Sequence, residues 1–158
     1  MVAAVVSVVL LTNGLAAGVL TGTLLGGWPL LSSLPPDRYV QAHAFFSTRY
    51  DPFMPICLAA TAIGDLVLLV AVPAAGPRGL YAAGAVLTLA SITISLVVNA
   101  PVNRWMRTLD PDNLPADFAQ WDPRPRWAAW NRARTTLTVL ALFVNCAAIA
   151  LLMEAGRS

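Results

Sequence analysis

Residues 2–31 carry no charged side chain, and this one run decides most of what the chain can become. About 20 apolar residues already cross the ~30 Å hydrocarbon core of a bilayer, so the stretch has length to spare. Three further apolar runs follow at residues 53–73, 80–98 and 135–153, and the only charge within them is Asp65. Inside lipid the backbone N–H and C=O groups find no water, so a spanning segment must be a helix or a strand of a closed barrel. The runs are continuous rather than alternating, which selects helices. The sequence therefore predicts an all-α protein: one four-helix transmembrane bundle over residues 1–158, with spans at about 2–31, 53–73, 80–103 and 127–153 and two long loops on one membrane face. The first run has no basic residues before it and exceeds the core of a signal peptide, so it reads as a retained helix.

Composition narrows the partners. The chain is 58% hydrophobic and 11% charged, where soluble domains carry about 25% charged residues. All ten basic residues are Arg, and the net charge of +2 is scattered along the chain. No basic stripe forms, so nucleic acid is not an expected partner and the lipid bilayer is. Cys57 and Cys146 lack a C-x-x-C spacing and lie too far apart along their helices for a disulfide, so they read as small apolar residues.

The connections are unequal. Residues 73–79 make a short Pro/Gly turn, whereas 32–52 and 104–126 are long and polar. Four spans put both long loops on one face. That face holds Arg38, Arg49, Arg104, Arg107, Arg124, Arg126, Arg132 and Arg134, against Arg78 and Arg157 opposite. The positive-inside rule then places the long loops in the cytoplasm and both termini outside; the plasma membrane is the expected location.

Two features lie inside the spans. Gly14, Gly18, Gly22 and Gly26 recur every four residues on one stripe of the first helix, where missing side chains let another surface approach closely. The commoner use is to seat a helix in its own bundle; the alternatives are a homo-oligomer interface or a flat ligand lying on the stripe. Gly18→Leu is expected to disrupt assembly on the packing and self-association readings. Asp65 sits ~18 Å into the second span, where an ionised carboxylate costs about 2.5 to 3.5 kcal/mol. It needs partners, and Thr12, Asn13 and Asn145 lie at similar depth. A buried polar knot and a proton-carrying carboxylate both remain open for it.

A richer set of groups gathers where the long loops meet the helices. In Asn99-Ala100-Pro101-Val102-Asn103-Arg104-Trp105, Pro101 removes a backbone donor and should kink or end the third span. Asn99 and Asn103 share a face if the helix persists. In Trp127-Ala128-Ala129-Trp130-Asn131-Arg132-Ala133-Arg134, the first, fifth and eighth residues follow the i, i+4, i+7 spacing of one helix face. Trp130 stands four residues before Arg134, within cation–π reach. An aromatic belt with snorkelling arginines would account for Trp and Arg alone. It leaves three amides beside an Arg needing partners, so a ligand site is the better reading. His43, the single histidine, stands in the loop before the second span, and an ordinary pKa near ~6.5 suits it to take a proton at neutral pH. A lone loop His is usually only solvated; this one returns to the face that holds the amides and Arg134. No recognisable metal-ligand spacing, Gly-x-Gly-x-x-Gly or P-loop is present, so no cofactor is expected.

On these residues the chain resembles the family of small four-helix membrane proteins that includes the anthrone oxygenases of aromatic polyketide pathways. The likeness rests on the long first span, the His-bearing loop, Asn99-x-Pro101-x-Asn103 closing the third span, and Trp127-x-x-Trp130-Asn131-x-x-Arg134 opening the fourth. It implies an oxygenase that turns a planar anthrone-type polycyclic phenol into a quinone with O2, without flavin, haem or an evident metal. In that reading His43 is the base, Arg134 with Asn131, Asn99 and Asn103 stabilises the oxyanion, and Trp127 and Trp130 hold the rings. Trp105 and Trp121 would line the same mouth. Two readings compete: a small exporter that exchanges protons for a hydrophobic compound through Asp65, and a noncatalytic membrane scaffold. Against the exporter stands the expectation that the polar residues crowd one membrane face instead of meeting Asp65 at mid-depth.

Overall fold

A computed structural model describes residues 1–155, so Arg157, counted above for orientation, lies outside the described residues. Five helices form. They are α1 (Val2–Ser33), α2 (Pro36–Arg49), α3 (Phe53–Ala71), α4 (Ala75–Met106) and α5 (Arg124–Ala155). All but α2 are long and apolar enough to cross a membrane. The four spans close a ring in the order α1, α3, α4, α5, each packing on its neighbours.

Three local expectations are corrected. Residues 32–52 are not a bare loop but contain α2, so His43 rides on a helix. Pro36 at its first position supplies a helical φ without wasting a donor, Asp37 faces the positive N-terminal end, and Arg49 faces the negative C-terminal end. Tyr39, His43 and Phe46 follow one another at i, i+4, i+7 and turn inward. The turn between α3 and α4 shrinks to residues 72–74, with Pro77 absorbed into the first turn of α4, where its missing N–H costs nothing. Nor does Pro101 end the third span, which runs on to Met106.

The reason is a local widening of the helix. The Ala100 N–H bonds to the Ser95 carbonyl, and Ser95–Asn99 forms a π-helical turn. Proline at 101 would collide with the carbonyl four residues earlier, at Val97. Winding that stretch more loosely admits the ring and carries the helix onward. The same device stands in α1: Thr23–Gly27 is π-helical, Trp28 N–H reaches Thr23 O, and Pro29 follows. Both widened turns lie beside the site described below.

Both long connections fold over one end of the bundle, where Leu31, Tyr39, Val40, Met106 and Phe118 form a buried cluster. A second apolar cluster, of Val9, Leu68, Val72, Tyr81 and Ala148, closes the other end. Cys57 and Cys146 are free. Cys57 is buried, whereas Cys146 points outward.

The glycine stripe does not seat α1 in its own bundle. A Cβ added at Gly14, Gly18, Gly22 or Gly26 would meet nothing within 4 Å. These residues turn away from the α3 and α5 contacts made by Val9, Asn13, Ala16 and Ala17. The close approaches occur elsewhere, at Gly64 against Val9 and at Gly84.

Gly84 makes room for the polar centre of the bundle. Asn145 Nδ2 donates to Asn13 Oδ1 at 3.2 Å and lies 3.5 Å from Asp65 Oδ2, while Asn13 Nδ2 donates to the Thr138 carbonyl at 3.1 Å. Thr12 pairs instead with Thr61. Of the three partners expected for Asp65, Asn145 reaches it directly and Asn13 only through Asn145. Polar groups therefore do meet Asp65 in the bundle interior, contrary to the expectation that they crowd one face. A Cβ on residue 84 would lie 2.7 Å from Asn145 Oδ1 and 2.9 Å from Asp65 Oδ2. Gly84→Val is thus expected to lower stability by about 1–3 kcal/mol through overpacking, read as a lower unfolding temperature in detergent, with Gly18→Val as the silent control.

Candidate functional site

The two widened turns, α2 and the first turns of α3 surround a cavity of about 620 Å³ at the end of the bundle that carries the long connections. Its walls are mainly apolar, and its polar groups include His43, Asn103 and Arg134. Trp127 forms part of the wall. A cavity of this size suits a drug-sized ligand held by a few placed polar groups.

His43 is only 2% exposed. Its Nε2 lies 2.9 Å from Asn103 Oδ1, and the same oxygen accepts from Trp127 Nε1 at 3.0 Å. An indole N–H can only donate, so the atom it meets must be the amide oxygen rather than the amide nitrogen. The same oxygen then requires His43 Nε2 to carry the hydrogen. The lone pair of the neutral ring is therefore on Nδ1, a buried atom without a hydrogen-bond partner. The ring is held from two sides, by Tyr39 at 5.3 Å and Trp127 at 5.1 Å between centroids, both edge-on. Burial is the largest influence on its acidity and pushes the imidazole below its ordinary 6.5; the Asn103 bond opposes this and Arg107 adds to it. At neutral pH the ring is uncharged with one free basic nitrogen.

Arg134 is fixed from behind. Its Nε donates to Asn131 Oδ1 at 2.9 Å, and its Nη1 donates to Ser95 Oγ at 3.2 Å. The ion pairs among the described residues are Arg38 with Asp37, Arg107 with Asp51, and Arg124 with Asp122. Arg134 belongs to none of them, so it brings an uncompensated positive charge to the cavity.

The residues singled out in the sequence thus divide into three groups. His43, Asn103, Trp127 and Arg134 line the cavity. Asn99 and Asn131 are buried behind it: Asn131 serves Arg134, and Asn99 Nδ2 makes a long contact of 3.4 Å to the Trp127 carbonyl. Asn103 turns its oxygen to His43 and Trp127, so its amide carbonyl orients the base. Trp130 and Trp105 do not line the cavity. Trp130 is 41% exposed and makes no cation–π contact with Arg134, whose guanidinium turns instead to Asn131 and Ser95. Trp105 stacks on Phe118 and joins Trp121 in a separate shallow groove.

Sequence reasoning passed over Ser95, Trp28 and Tyr39. Ser95 precedes Asn99 by one turn and holds Arg134; Trp28 stacks on Trp127 with centroids 5.7 Å apart. Tyr39, one turn before His43, would have been visible once residues 36–49 were read as a helix.

The family model for anthrone oxygenase matches residues 43–144. The match begins at His43 and takes in Asn99, Asn103, Trp127, Asn131 and Arg134. No curated protein and no solved structure gives a match. With about two thirds of its length covered, including His43, Asn103 and Arg134 of the cavity and Asn99 and Asn131 behind it, the chain belongs to the anthrone oxygenase family.

Proposed function

We propose that the protein is a membrane-embedded oxygenase that converts an anthrone-type polycyclic phenol to its quinone with O2. The observation that carries this reading is one mainly apolar cavity that holds both a neutral imidazole with a free nitrogen and an arginine that has no counter-ion among the described residues. His43 Nδ1 takes a proton from the activated methylene, and Arg134 stabilises the negative charge that spreads onto the ligand oxygen. The electron-rich carbanion passes one electron to O2, and the resulting radical pair joins to form a C–O bond. Protonation gives a hydroperoxide. Loss of the remaining proton on that carbon, with O–O cleavage, releases water and leaves the new carbonyl. One O2 is consumed per quinone, one oxygen atom entering the product and the other leaving as water. Trp127 offers its ring to the ligand, Asn103 holds the base, and Asn131 with Ser95 holds the arginine. No cofactor takes part in this scheme. The plasma membrane is the proposed location, with α2 and the long connections on the cytoplasmic side.

Purified protein in nanodiscs, given a model anthrone, is expected to take up one O2 per quinone formed without accumulating peroxide. An absence of uptake above the spontaneous rate would refute the reading. The buried Asn13, Asp65 and Asn145 cluster favours a second reading, a proton-coupled exporter. Asp65 lies outside the cavity lining, so the oxygenase reading expects Asp65→Asn to retain oxygen uptake once folding is controlled. Proton-driven flux in vesicles that is lost in Asp65→Asn would favour the exporter.

A further inference from the structure

The cavity is not sealed, and the residues that line it while remaining exposed mark where it opens. Tyr50 and Asp51, at the junction of α2 and α3, are the exposed lining residues outside the spans. The others are Gly22, Gly26 and Leu30 of α1, Pro55 and Ala59 of α3, and Leu96 of α4. All six belong to membrane-spanning helices. All six are uncharged, and Leu30 and Leu96 are more than half exposed.

An aqueous mouth would be rimmed by groups that hydrogen-bond water. This rim offers alkyl side chains and bare glycine backbone within helices long enough to lie in lipid. The opening on this side therefore meets acyl chains. Gly22 and Gly26 keep it wide, since nothing stands within 4 Å of where their side chains would begin. The stripe continues to Gly18, which is exposed but does not line the cavity.

We propose that this rim is a lateral mouth through which a planar apolar aromatic compound passes directly from the bilayer to His43 and Arg134. The proposal rests on the ligand class assigned above and adds the route. It gives the glycines a role other than packing: two of them widen a doorway for a flat ring system. It also accounts for a polar reaction site lying under an apolar rim, because a polycyclic phenol partitions into lipid before it meets the protein. Inside, the phenol oxygen exchanges the membrane interface for the guanidinium.

The test uses the full-length protein in vesicles, with 9,10-anthraquinone as a binding probe, so that its result does not depend on turnover. Three variants are compared with the parent: Gly22→Phe, Ala59→Phe and Gly18→Phe. All three place a ring on a lipid-facing surface, and the two glycines have open space for it. Association of the probe is expected to follow its mole fraction in the bilayer, falling when empty lipid is added at constant aqueous volume. Gly22→Phe and Ala59→Phe are expected to slow association by about tenfold or more, equivalent to a barrier increase of at least one factor of ten in rate. Gly18→Phe is expected to match the parent. Association that follows total aqueous concentration, or that is equally fast in all four proteins, overturns the lateral route. An equal slowing in Gly18→Phe also overturns it, since the effect would then belong to the stripe as a self-association face. Failure of the oxygenase reading looks different: the probe binds by the lateral route, yet anthrone is not oxidised.

Discussion

His43→Gln is expected to lower enzyme-dependent anthrone oxidation by about 10²- to 10⁴-fold at neutral pH, the usual contribution of a positioned general base. The substitution is chosen for what it keeps. A glutamine amide nitrogen can donate to Asn103 Oδ1 as His43 Nε2 does, so the contact with α4 survives while the basic nitrogen disappears. The pH profile separates loss of a base from loss of structure. In the parent, burial holds the imidazole below its ordinary 6.5, so the active neutral form predominates at pH 7. Protonation then removes activity as the pH falls through that lowered value, giving an acid limb with its midpoint below 6.5. The Gln variant should lack this limb and should gain rate steadily with rising pH as hydroxide replaces the missing base. Oxygen-electrode measurements between pH 5 and 9 check both outcomes. Unchanged uptake in His43→Gln would remove the residue from the mechanism. Asn103→Leu should show an intermediate loss, because it frees the ring to adopt the other tautomer and leaves the Trp127 N–H unpaired.

The architecture was legible because lipid leaves few choices: four long apolar runs must be helices, and four helices of this length must pack side by side. The contact of Asp65 with Asn145, which Asn13 extends, was legible for the same reason, since an intramembrane carboxylate has to find polar neighbours at its own depth. What stayed hidden was set by geometry that hydropathy does not encode. Residues 36–49 are polar enough to read as a loop, and their helical character shows only in the i, i+4, i+7 spacing of Tyr39, His43 and Phe46. Pro101 reads as a kink or an end because sequence rules treat proline as an interruption of an α-helix; the helix does not end there, since the Ser95–Asn99 turn widens ahead of it. Asn99, the last residue of that turn, is buried behind the wall, while Asn103, one turn on, reaches the cavity. Trp130 shares a side of α5 with Arg134 by spacing, but the guanidinium turns to Asn131 and Ser95 and leaves the indole at the surface. The glycine stripe was read as a packing seam because small residues usually serve that purpose, but here the neighbouring helices contact a different face of α1. Which oxygen of the Asn103 network accepts, and hence which His43 nitrogen is basic, depends on an indole N–H from another helix.

Arg134→Met is expected to separate activity from stability in opposite directions. The guanidinium sits partly buried among the described residues without a carboxylate partner, and its hydrogen bonds to Asn131 and Ser95 recover only part of the hydration it lost. A long apolar side chain of similar reach removes that electrostatic cost, so the unfolding temperature of the variant in detergent should stay level or rise. The same change deletes the charge aimed at the developing oxyanion, and oxygenation should fall by about 10²- to 10³-fold. A purely structural arginine would show the reverse, with stability lost and activity falling only as folded protein is lost. Arg134→Lys refines the test. Lysine restores the charge but not the fork that reaches Asn131 and Ser95 together, so it should recover part of the rate. A bound phenolic ligand supplies an independent reading, because a nearby cation favours its ionised form. Its absorbance titration should move to higher pH in Arg134→Met, with Arg134→Lys lying between Met and the parent. If all three proteins titrate the ligand alike, the positive charge is not directed at its oxygen, and the cavity needs another source of anion stabilisation.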